Sequence, residues 1–167
     1  MAKRIFKKKK EWTSEEIENG LVDSQKKDAP KFEDASEDVI EGFNLILQKL
    51  DLPFTFKACY LSSTKQKKMV TMKRLPAEYS KLLDKDVLIV FNESMYQPLD
   101  DLSKEILFEQ EIAKISLDME NGNIKTVKPD LNTFSGLIKK WGIDAVAKAN
   151  QVESLLSQQI DDAKKTK

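Results

Sequence analysis

The chain has 167 residues, 40% of them apolar and 34% charged, with 28 basic side chains against 28 acidic and no histidine. That length bounds the answer to one core of ordinary domain size plus tails, and zero net charge argues against indiscriminate nucleic-acid binding by the whole protein. No apolar run reaches the roughly twenty residues of a membrane span, and Met1-Ala2-Lys3-Arg4 is not followed by a signal-peptide core, so the expected protein is intracellular with no membrane partner.

Residues 1–33 read as a basic, polar arm. Lys3, Arg4, Lys7, Lys8, Lys9 and Lys10 are interleaved with Ile5, Phe6 and Trp12, and Glu15-Glu16-Ile17-Glu18 follows at once. Such a block is commonly a solvated tail. It also has the chemistry to bind phosphates and stack on bases, or to anchor its apolar residues on a partner protein. Thr13 and Glu16 have capping-box spacing, Gly20 keeps any helix there short, and Gln25 to Lys31, with Pro30, reads as linker.

The folded domain is expected over residues 34–163, with 164–167 as a tail. Val39, Ile40, Phe43, Ile46, Leu47 and Leu50 share one helical face, capped by Asp34 or Ser36 and ended by Asp51-Leu52-Pro53. Phe54 to Leu61 alternates as a half-buried strand, with the single cysteine, Cys59, as a small strand side chain. Lys65, Lys67 and Lys68 lie in a polar connection that could touch a phosphate backbone or blunt a sheet edge. Met69 to Leu75 reads as a second, more exposed strand, and Pro76 to Lys85 as a short helix or turn.

Val87-Leu88-Ile89-Val90-Phe91 is a continuous apolar, β-branched run between polar stretches, the pattern of a buried central strand. After Pro98-Leu99-Asp100-Asp101, a helix start, Leu102, Ile106, Ile112 and Ala113 recur at helical spacing toward Ile115. Asn121-Gly122 lies between Leu117/Met119 and Ile124/Val127, the signal of a two-residue hairpin turn. Asp130 suits an N-cap for a helix with Leu131, Phe134, Leu137, Ile138 and Trp141 on one face and Gly142 just past its end. A last amphipathic helix, capped by Asp144, carries Val146, Ala147, Val152, Leu155, Leu156 and Ile160. These residues pack on the domain or fill a partner's groove. The sum is an α+β domain with a three- to four-stranded sheet packed against helices and a hairpin after the central helix.

The run Asp86 to Glu93, continued through Leu99, Lys104 and Leu107 to Gln110-Glu111-Ile112-Ala113-Lys114-Ile115 and Pro129-Asp130-Leu131-Asn132-Thr133-Phe134, resembles the metallopeptidase family carried by bacteriophages. With the preceding strands the resemblance covers about two thirds of the chain. It implies a zincin-like fold in which a strand leads into a helix bearing H-E-x-x-H, with a third histidine in an H-D pair after a hairpin. Glu111 and Asp130 match that pattern. Gln110, Lys114 and Pro129 stand where the three histidines would.

The substitutions bear directly on the chemistry. H-E-x-x-H works because two imidazoles one turn apart hold Zn²⁺ while the Glu serves as base to a metal-bound water. A glutamine amide is a poor zinc donor, proline offers no side-chain donor, and a lysine ammonium places positive charge where the cation would sit. No His is present to rearrange, and the carboxylates lack the spacing of a Ca²⁺ or Mg²⁺ loop. The expected protein is therefore a catalytically inactive member with no metal or cofactor. Its expected role is binding another phage or host protein, in the host cytoplasm or the virion. A nucleic-acid-associated role through the arm, and an active hydrolase with an unforeseen metal, are the alternatives. Glu111 and Lys114 are expected to pair on the helix surface. In the second reading Lys114 enters the vacated metal position and meets Glu111 and Asp130.

Overall fold

The structure, a computed structural model, describes residues 31–130 and 133–165. The arm residues Lys3 to Trp12, together with Leu131 and Asn132, lie outside the described residues. One compact unit begins at Phe32.

Strand β1 (Glu33–Asp34) leads into helix α1 (Glu37–Leu50), whose residues Val39, Phe43 and Ile46 recur at helical spacing and are buried. Ser36 stands at the N-cap with extended backbone but makes no side-chain cap bond. Asp51 ends the helix in the left-handed region at φ 44°, its N–H donating to the Gln48 carbonyl. Strand β2 (Ala58–Ser62), strand β3 (Val70–Arg74), helix α2 (Ala77–Leu83) and strand β4 (Val87–Phe91) follow. The sheet order is β1-β2-β4-β3, with β2 parallel to β4 and the other two pairs antiparallel. The continuous apolar run is thus the central strand, flanked on both sides.

Two strand expectations change. Residues 54–57 alternate half-buried and exposed as the sequence pattern implies, yet pairing begins only at Ala58, opposite Val87. At that end the Lys57 N–H donates to Asp86 Oδ2 at 2.8 Å, so a side chain rather than a ladder takes the donor. Strand β3 is less exposed than expected. Val70 and Met72 are buried, and exposure is confined to Lys73 and Arg74 at its end.

Short helix α3 (Glu93–Tyr96), absent from the sequence reading, precedes helix α4 (Asp101–Ile112). A Cβ added to Gly42 of α1 would come within 2.6 Å of Tyr96 Oη, so the missing side chain lets the two elements meet. The run Ile106 to Glu109 is buried throughout, placing α4 deep in the molecule, whereas Leu102 is 45% exposed and does not contribute to the core as expected. Phe43 of α1, Phe91 of β4 and Phe108 of α4 meet edge to face, with centroids 5.2–6.1 Å apart. That cluster joins both helices to the sheet.

Beyond α4 lie β5 (Ile115–Leu117) and β6 (Ile124–Thr126), with Leu117 opposite Ile124. Their connection is longer than a two-residue turn: Asp118 N–H donates to the Asn123 carbonyl and Gly122 N–H to the Asp118 carbonyl, both at 2.8 Å. The Asp118 carboxylate accepts from Glu120 N–H and Asn121 Nδ2 and so organises the loop, with Gly122 supplying its positive φ of 65°. Helix α5 (Ser135–Trp141) starts five residues after Asp130, so Asp130 is not its N-cap residue, although Asp130 Oδ1 accepts the Ser135 N–H at 2.9 Å. Gly142, at φ 83°, separates α5 from helix α6 (Ile143–Lys165). Asp144 sits inside α6 rather than capping it, and α6 runs past the expected boundary at 163. Ala149, not Ala147, joins Val146 in the core; Val152, Leu156 and Ile160 pack on the domain, while Leu155 faces out. No helix among the described residues is long and apolar enough to cross a membrane.

Phe108→Ala is expected to cost about 3–5 kcal/mol in urea unfolding, whereas Leu82→Ala, at a 79% exposed position, should stay within about 0.5 kcal/mol of the parent. Equal effects would place the core elsewhere.

Candidate functional site

The end of α4 and the turn after it present Gln110, Glu111 and Lys114 to one small cavity of about 80 Å³, which Lys68, Pro129 and Thr133 also line. Four of the five positions singled out by the resemblance therefore converge. The fifth, Asp130, follows Pro129 directly and holds the start of α5.

Glu111 is the centre of this arrangement. It is 4% exposed, so its pairing with Lys114 is not the surface couple expected from their spacing. Its Oε1 binds the Lys114 ammonium, and the Lys68 ammonium stands 3.6 Å from the same oxygen. Its Oε2 accepts the Met72 N–H at 3.1 Å, a donor on the outward edge of β3. A second carboxylate reaches that edge from α6: Glu153 Oε1 accepts the Met69 N–H at 2.8 Å. Burial pushes the Glu153 carboxyl above the ordinary glutamate range, and Lys68 and Lys114 pull against that shift. Glu153 is an acid coupled to these lysines that the sequence pattern does not single out.

Gln110 is also engaged, its Nε2 donating to Thr133 Oγ1 at 2.9 Å. The neighbouring Glu109, 3% exposed, binds the Lys140 ammonium and accepts the Trp141 indole N–H at 2.8 Å. No local signal marks that buried glutamate except its place beside Phe108, where a buried charge requires a partner. The lysine connection divides: Lys65 and Lys67 are exposed, while Lys68 turns its ammonium to Glu111. Cys59 sits half-buried in β2, opposite Leu88.

A zinc ion does not fit this donor set. Zinc takes neutral imidazoles, thiolates and carboxylates. Here the α4 positions carry an amide and an ammonium, Pro129 has no donor, and the one carboxylate between them already holds two cations and a backbone N–H. Among the described residues no three His, Cys, Asp or Glu side chains are grouped to hold a metal. What the arrangement does chemically is to tie α4 and α6 to the edge of β3 through hydrogen bonds from backbone N–H groups to two carboxylates, with lysines beside Glu111.

The chain matches the family model described as Putative phage metallopeptidase over residues 25–158. No curated protein and no solved structure matches it.

The raised Glu153 pKa has a definite sign. Above the ordinary value of 4.5 the folded state retains a proton that the unfolded chain has lost, so this group's contribution falls as pH rises through the folded value. Glu153→Gln keeps an acceptor for Met69 and removes the titration. Its stability, measured by urea midpoints from weakly acidic to neutral pH, should decline less over that window than the parent's. Parallel profiles would contradict the burial effect.

Proposed function

Because the chain belongs to the phage metallopeptidase family, we propose that it is a member that has exchanged catalysis for binding, serving as a structural or adaptor module for another phage or host protein. The observation that carries this reading is Glu111, at the position of the family's general base, buried and held by Lys114 and Lys68. A base bound to two ammonium groups is not available to activate water, and a cation at the metal's place opposes the metal. The scaffold around it is fully built, which is what selection for a binding surface rather than for turnover would preserve. The proposed setting is the infected cell or the particle, with the basic-aromatic arm, including Phe6 and Trp12, as the contact to a partner.

Protein purified without chelator should carry far less than one transition-metal ion per chain by elemental analysis. Stoichiometric Zn²⁺ would overturn the reading and favour a hydrolase. The triple variant Gln110→His, Lys114→His, Pro129→His should gain Zn²⁺ if those positions descend from ligands. Full-length protein should retain a partner from infected cells that a chain lacking residues 1–33 loses; equal recovery would remove the arm from the contact.

A further inference from the structure

On another face, β3, α2 and the β5–β6 loop enclose a polar cavity of about 350 Å³. Among its lining residues, Arg74, Lys81, Ser80 and Asn123 carry side chains able to donate hydrogen bonds. Two acids, Asp84 and Asp86, also line the cavity, and both are engaged within the fold. Asp84 Oδ2 binds Lys57 Nζ at 2.7 Å, and Asp86 Oδ2 accepts the Lys57 N–H at 2.8 Å. Asp118, which Arg74 feels weakly, serves its own loop by accepting from Glu120 N–H and Asn121. Arg74 and Lys81 make no ion pair among the described residues. The lining alone is balanced, Arg74 and Lys81 against Asp84 and Asp86; Lys57, outside the lining, offsets Asp84 and leaves two cations facing Asp86.

We propose that this cavity binds a small phosphomonoester, its phosphoryl group held by Arg74 and Lys81. A guanidinium fork matches a phosphoryl group in two parallel bonds, and an ammonium adds a point charge beside it. The dianionic ester brings three acceptor oxygens, for which Ser80 and Asn123 supply neutral donors. The cavity is larger than a bare phosphate requires, and Leu75 and Ile124 give the carbon skeleton an apolar wall. No part of this site overlaps the Glu111 cluster, so it stands or falls independently of the loss of catalysis.

The test is calorimetric titration of the full chain with ribose 5-phosphate, ribose and inorganic phosphate. Saturable binding of ribose 5-phosphate, weaker binding of phosphate and none of ribose are expected. Arg74→Ala with Lys81→Ala should weaken the ester about 10–100-fold, the loss of one or two charge-assisted bonds. Lys65→Ala with Lys67→Ala, equally reducing net charge, should leave it unchanged. All four positions are exposed, and an unchanged melting temperature verifies folding. Absence of saturable binding, an undiminished affinity in the Arg74/Lys81 variant, an equal loss in the Lys65/Lys67 variant, or phosphate binding as tightly as the ester would each overturn the assignment.

Discussion

The burial of one carboxylate, that of Glu111, constrains the structure around it. A charge held almost free of water must be neutralised and hydrogen-bonded, or it shifts the equilibrium toward the unfolded chain. Lys114 from the turn just past α4, Lys68 from the connection before β3 and the Met72 N–H from the strand edge meet that demand together. Each comes from a different stretch of chain, so the requirement of one side chain fixes the relative position of three elements. Glu153 repeats the device one step along the same edge and adds α6 to the assembly. An edge strand with open donors invites pairing with other chains, and two carboxylates close part of this one.

The positive charge beside Glu111 is covalent, carried by the Lys114 and Lys68 ammonium groups. At the three positions aligned with histidines by the resemblance, Gln110 turns to Thr133, Lys114 supplies a cation to Glu111, and Pro129 precedes the aspartate that holds the start of α5. A buried ion pair is no assured gain in stability over an apolar replacement; its firmer consequence is to fix where the helix lies against the strand.

Much of the fold was legible because its signals are local. The run Val87 to Phe91 could only be a covered strand, and Val39, Phe43 and Ile46 mark a helix face by spacing alone. What escaped depended on distant partners. Strand β1 spans two residues and exists through its pairing with β2. The alternation at Phe54 and Phe56 is real, yet no neighbouring strand extends far enough to pair with it. Leu102 has helical spacing but lies on the outer side of α4. For the site, the three-residue offset of Glu111 and Lys114 revealed their pairing but not its burial, because Met72 lies 39 residues away. Glu109 was hidden for the same reason, with Lys140 and Trp141 31 and 32 residues distant.

The account rests on Glu111 and Lys114 acting as a buried, mutually dependent pair, and a double-mutant cycle measures that most directly. Urea unfolding of Glu111→Gln, Lys114→Met and the double variant should show Lys114→Met alone to be costly and the double variant less destabilised than the two losses added, with a coupling of about 1–3 kcal/mol. Additivity within about 0.5 kcal/mol would mean that the two charges do not depend on each other, and the central claim would fail.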